Sequence, residues 1–216
     1  MSGDTRERLL AGTIAALRDK GIAGTSARSI AAAAGVNQAL VFYHFGSVDE
    51  LIIAACQSAT RERVALYADR FADVTSLREL LTIGQDLHEA ERAAGNTRVL
   101  AQVLAAAQQN AILAEAAKQA FGLWITEIEL TLRRILAGSP IKAALDIPGL
   151  ARAIAAAFIG LELYEAADPD ASRHAMAALG QLAILTDVLD DLGPVARRAL
   201  AARLRRSQAA RTGTTR

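Results

Sequence analysis

Few side chains in this 216-residue sequence combine the type and the spacing that covalent or metal chemistry needs. The three histidines, His44, His88 and His174, fall in separate predicted helices and form no HExxH pair. There is no glycine-rich phosphate loop and no Gly-x-Ser-x-Gly elbow. The single cysteine, Cys56, has no Lys or His beside it to favour the thiolate, so a buried, inert thiol is expected. One cysteine also excludes an intramolecular disulfide and fits a reducing, cytoplasmic setting. No enzyme activity, metal or cofactor is expected.

The spacing Ala31…Gly35…Val41 points elsewhere. A small residue at 31 lets a second helix approach the first closely. Gly35 supplies the left-handed backbone of a tight turn. Val41, β-branched, packs beneath the second helix. Two short helices joined in this way form a helix-turn-helix, which would lay the second across a major groove with its N-terminal end towards base edges. Phe42 and Phe45 read first as packing residues, and Asn37 as a helix cap.

The elements that must position this motif are well punctuated. Leu9, Leu10, Ile14 and Leu17 recur at helical spacing over residues 4–20, and Gly21 stands where a helix ends. Thr25 or Ser26 caps a second helix, which Gly35 breaks, and Asn37 opens a third running to about residue 43. Ser47-Val48-Asp49-Glu50 reads as a capping box opening a long fourth helix to about residue 71. Ser76 to Glu79 repeats the signal for a fifth helix, to about residue 94. Gly95-Asn96 restarts a sixth, and Asn110 precedes a seventh that ends at Gly138 before Pro140. Pro148 opens an eighth helix to about 167, a ninth covers 171–192, and an Arg-rich helix follows Gly193-Pro194. Residues 208–216 are expected to be a disordered tail.

From Thr25 to Leu51 the run TSARSIAAAAGVNQALVFYHFGSVDEL resembles the DNA-binding domain of the tetracycline-repressor (TetR) family. The resemblance covers roughly residues 5–55. It implies a helix-turn-helix domain over 1–47, a helical ligand-binding and dimerisation domain over 48–207, and a homodimer that binds a double-stranded operator. By position, Thr25 and Ser26 would cap the second helix and offer N–H groups to a phosphate, and Arg28 would meet a phosphate or a base. Asn37, Gln38, Ala39 and Leu40 would form the base-reading start of the recognition helix, with Gln38 suited to adenine and Ala39 or Leu40 to a thymine methyl. Phe42 stands where the family often has Tyr. Tyr43, His44 and Ser47 would bond the DNA backbone, His44 being alternatively a plain surface histidine. Gly46 and Val48 replace frequent lysines, which should weaken and flatten the salt-dependent part of binding.

The family likeness also implies a pocket for a small-molecule effector among the fifth to eighth helices. His88, Gln102, Trp124, Glu127 and Tyr164 are its polar candidates, with Gly84 leaving room one turn before His88; packing on the stripe of Leu113, Ala117, Ala120 and Ile128 also accounts for Trp124. Two apolar stripes would pair with a second copy: Leu150, Ile154, Phe158 and Leu161, then Met176, Leu179, Ala183, Thr186 and Leu189, with Gly180 among them. The alternative is that both stripes pack only within one chain. Repression with ligand-induced release is the expected behaviour. A helical ligand- or protein-binding module with weak or no specific DNA binding is the rival.

Composition agrees with an all-α protein: 52% of residues are hydrophobic, yet only 4% are aromatic. Alanine dominates and strand formers are sparse. Residues 29–48, the longest stretch free of charge, contain Asn37, Gln38, Tyr43 and His44, so no membrane span is expected. Net charge is +1, but its distribution is uneven. Residues 1–50 carry five basic and five acidic groups, while 197–216 carry seven arginines and no acid. A solvated helix face explains that arginine run before a second DNA contact does. DNA binding by the N-terminus must rest on motif geometry.

Overall fold

The computed structural model describes residues 2–139, 141–142, 145–165, 167–168, 170, 173–175, 177–181, 193–196, 198–200, 202–203 and 206. The described chain is all-α and contains no strand. Its helices are α1 (Ser2–Gly24), α2 (Ala27–Ala34), α3 (Ala39–Phe45), α4 (Val48–Asp73), α5 (Leu77–Ala93), α6 (Asn96–Ala107), α7 (Ala111–Ile135) and α8 (Ile147–Tyr164). Residues 173–175 and 177–181 of the predicted ninth helix are helical. The rest of that helix, Pro140 and the 208–216 tail lie outside the described residues.

The punctuation read from the sequence is visible in the hydrogen bonds. Gly21 leaves helical geometry at φ 70°, ψ 176°, so α1 kinks where its end was expected. Ser26 caps α2 by accepting from the Ser29 N–H, and Ser29 reciprocates. Ser47 accepts from Glu50 N–H at 3.1 Å, and Ser76 from Glu79 N–H at 3.2 Å. Asn110 takes the N–H groups of Ile112 and Leu113 at the start of α7. Asp146 caps α8, whose first turn holds Pro148. Each such cap stabilises its helix by about 1 kcal/mol. Glu79 reaches back to the Ser76 backbone and also to the N–H and hydroxyl of Thr75.

The chain divides into two compact units, residues 1–67 with 88–124 and residues 68–87 with 125–216. In the first, Leu9, Leu10, Ala27, Ile30, Ala31, Ala34, Val41, Leu51 and Ala55 form one core. Leu17, Ile52, Val99, Val103, Leu113 and Ala117 form a second. Ile14 and Val48 pack against both, so the helix-turn-helix and the α6–α7 corner share one apolar floor. The second unit buries Phe71, Leu80, Ile83, Ile128, Leu132, Leu136, Ile147, Ala151 and Ala155. Within it Arg134 donates to the Phe71 and Val74 carbonyls at the end of α4. Among the described residues α8 alone is, by length and composition, able to cross a membrane as a single helix, with mean hydropathy 1.4. The bent α3–α4 pair passes the same test only if taken as one broken span. Arg152 and Glu162 on α8 make lipid a poor solvent for it.

Candidate nucleic-acid interface

The turn between α2 and α3 is built as its residue types require. Gly35 adopts φ 63°, ψ 39° and donates to Ala32, while Val36 N–H returns to Ala31. A side chain at 35 would pay the steric cost of the left-handed region. Ala31 is buried against the head core and Val41 is fully buried beneath α3. Gly12 explains how close α1 lies: a Cβ there would fall 2.8 Å from the Ala34 nitrogen. Asn37 accepts from Ala39 N–H at 2.8 Å and so opens α3 as expected.

Around this frame the candidate reading residues divide by exposure. Asn37, Gln38, Ala39 and Arg28 are exposed, and Leu40 is half-buried against the head core. Tyr43 is 80% exposed and Phe42 50%. Phe42 therefore does not pack as the sequence suggested. It lies about 100° round the helix from buried Val41, whereas Phe45 shares Val41's face and packs against the core. His44 is half-buried, edge-on to Tyr43 at 5.0 Å between ring centroids. Thr25 is turned away from the capping role, donating instead to the Gly21 carbonyl at 2.7 Å. Gly46 ends α3 at φ 78°. Ser47 is half-buried and holds the start of α4.

Two side chains of α1 join this surface that the sequence did not single out. The Arg8 guanidinium donates to the Ala34 carbonyl at 2.8 Å and the Gly35 carbonyl at 2.7 Å. The Arg6 guanidinium lies over the Phe45 ring, 5.1 Å from its centroid. Only the α1–α2 crossing at Gly12 brings them there, and no local pattern in MSGDTRERLL signals it.

Residues 9–55 match the family model described as bacterial regulatory proteins, tetR family. The chain carries a TetR-family DNA-binding domain. Solved structures extend the likeness in fold to most of the chain. A Rhodococcus sp. protein assigned as a TetR-family transcriptional regulator is 22% identical, with TM-score 0.70, covering 87% of this chain and 98% of that one. A TetR transcription regulator from Haloarcula marismortui is 16% identical, TM-score 0.70, covering 85% and 98%. The multidrug binding protein EbrR, complexed with imidazole, is 25% identical, TM-score 0.59, covering 82% and 94%. A search of curated proteins finds no match.

Beyond the TetR-family domain, the effector-pocket candidates are spread over both units. His88, Gln102 and Trp124 belong to the first, and Glu127 and Tyr164 to the second. Gln102 is engaged with the head, its oxygen accepting from the Ile22 N–H. Trp124 stands edge-on to buried Tyr67, 6.3 Å between ring centroids. His88 and Glu127 are half-buried, and Tyr164 is 55% exposed. Among the described residues no three metal-ligating side chains cluster. Cys56 is free, and burial pushes its thiol up to about 11.

Four of the dimer candidates fall on α8. Within its own unit α8 buries Ile147, Ala151, Ala155 and Glu162. Leu150, Ile154, Phe158 and Leu161 are only half-buried. Leu161, Gly160 and Tyr164 line an open apolar groove with Leu179, Ala175 and Ala178. Gly180 is half-buried beside it. Met176, Ala183, Thr186 and Leu189 lie outside the described residues.

Proposed function

We propose that this DNA-binding regulator is a cytoplasmic homodimer that represses transcription from a palindromic operator and is released by a small-molecule effector. The observation that carries the reading is the exposure pattern of α3. Val41 is fully buried while Gln38, Ala39 and Tyr43 stand out on the solvent side of a helix whose entry turn is fixed by Gly35. Such a helix can enter a major groove without unpacking the head. Gln38 reads a base, Ala39 and Leu40 touch thymine methyls, and Tyr43, His44, Ser47, Thr25, Ser26 and Arg28 hold the backbone.

Residues 1–47 serve as the reading head and 48–207 as the sensing and dimerising part. The half-exposed stripe of α8 supports pairing with a second copy, because two-fold proteins match two-fold sites. EbrR is a multidrug binding protein, which supports a small-molecule effector here. Effector bound in the 48–207 region favours one arrangement of α4 and lowers DNA affinity by its preference for that arrangement, His88, Gln102 and Trp124 being the candidate contacts in the first unit and Glu127 and Tyr164 those in the second. Side-chain hydrogen bonds within the first unit support this coupling. Asp49 at the start of α4 accepts from Asn110, and Gln102 and Asn96 of α6 bond Ile22 and Arg18 of α1.

Binding of Gln38→Ala and Tyr43→Phe variants to a selected duplex tests the roles. Gln38→Ala relaxes preference at one base pair per half-site by about 1–3 kcal/mol, and Tyr43→Phe weakens all sequences alike. Uniform loss in both would assign Gln38 to the backbone.

A further inference from the structure

Arg8 reaches the C-terminal end of α2, where the last carbonyls have no partner within the helix. The helix is only eight residues long. One guanidinium nitrogen of Arg8 takes both the Ala34 and the Gly35 carbonyl, at 2.8 and 2.7 Å. These bonds are charge-assisted and sit at the negative end of the helix dipole. The seat favours glycine: a Cβ at 35 would sit on a strained, left-handed backbone and 3.0 Å from the same nitrogen, which would have to give way. Two residues earlier Arg6 covers Phe45, the last residue of α3. The first turns of α1 thus hold the turn that leads into α3 and the last residue of α3.

We propose that Arg8 is a positioning residue for DNA recognition, bracing the Ala34–Gly35 turn so that α3 is presented at one fixed angle. This rests on the DNA-binding reading and adds to it a specificity-determining group that touches no DNA. A head whose turn is loose occupies the competent orientation for part of the time, and apparent affinity falls by that fraction. Non-specific binding, which needs only phosphate contacts, is spared.

The test compares the full-length protein with Arg8→Ala and Arg8→Lys on two duplexes, one selected from a random library and one of unrelated sequence, over a salt series. Lys keeps the charge and the helix propensity, so it serves if the alanine variant does not fold. Its ammonium reaches less far than the terminal guanidinium nitrogen that makes both bonds. The expected result is a loss of about tenfold on the selected duplex, within about twofold of wild type on the unrelated one, with the salt slope unchanged. Amide exchange in the free protein should quicken at Leu40 and Val41 and stay unchanged in α5. Equal losses on both duplexes with a slope lower by about one per protomer would make Arg8 a phosphate contact and overturn the proposal. Full activity of Arg8→Lys, or unaltered exchange in α3, would overturn it too. If the wild type discriminates no duplex at all, the DNA-binding reading fails by itself, and the exchange measurement still decides whether Arg8 braces the turn.

Discussion

The side-chain oxygen of Gln102 accepts the backbone N–H of Ile22 at 2.7 Å, tying α6 to α1 across 80 residues of sequence. Gly21 creates the need: its φ of 70° breaks the helix and frees the next N–H. A Cβ at Gly21 would fall 2.7 Å from that same oxygen. The pair joins α1 of the helix-turn-helix unit to α6. Gln102→Leu leaves the N–H without its acceptor and should destabilise the protein by about 1–3 kcal/mol, a fall of roughly 3–8 °C in Tm. Gln102→Glu keeps an acceptor and should lose less at neutral pH. Thermal melts of both variants check this, and equal loss would show that the bond contributes nothing.

Cys56 should resist alkylation in the native protein. With its thiol pushed up to about 11 by burial, roughly one molecule in a thousand carries thiolate at pH 8. Iodoacetamide should label it at least about a hundredfold faster in urea than in buffer. The shift also has a sign for stability: the neutral form is favoured in the folded state. That contribution is full below the ordinary value of 9.0 and is lost as pH rises towards 11.

Glu79 titrates in the opposite sense. Hydrogen bonds from the Thr75 backbone and then its hydroxyl hold the carboxyl below its ordinary value of 4.5. Its contribution is present above that pH and disappears as acid protonates the folded form. Glu79→Gln should lower Tm at pH 7 and match wild type well below pH 4, the two melting curves converging on acidification. A constant offset across pH would assign the effect to packing.

Much of this was legible because helix ends are local. Gly21, Ser26, Gly35, Asn37, Ser47 and Asn110 each act within four residues of themselves, and each stands at or beside the break or cap that its type implied. What escaped the sequence is tertiary. Arg8 and Arg6 become part of the recognition unit only because Gly12 lets α1 cross α2 closely. The apolarity of Phe42 suggests a core position, yet a seven-residue helix with Val41 and Phe45 inward has no room for a third large apolar side chain on that face. A polar group on an apolar helix, Gln102 signals a partner without naming it. The partner is a backbone N–H that only the kink at Gly21 exposes.

Leu161 on the outer stripe of α8 should decide the oligomeric state. Leu161→Arg places a charge in the apolar groove shared with Leu179 and should yield a monomer by sedimentation equilibrium. Operator affinity should then fall by at least about a hundredfold, since each half-site would be bound alone. A variant that stays dimeric would confine this stripe to contacts within one chain.

Weak salt dependence follows from the two positions where lysine is frequent in the family. Val48 packs against both cores of the first unit, and Gly46 holds φ 78°, so neither can simply become a cation. The log–log salt slope of specific binding should therefore be shallow for a dimer, each phosphate contact adding about 0.9.

The most direct measurement incubates the purified protein with a randomised duplex library at low and moderate salt and sequences what is retained. A two-fold protein reading DNA through Gln38, Ala39 and Leu40 should enrich one palindrome, with half-sites about one helical turn apart. Retention without enrichment at either salt would contradict sequence-specific recognition.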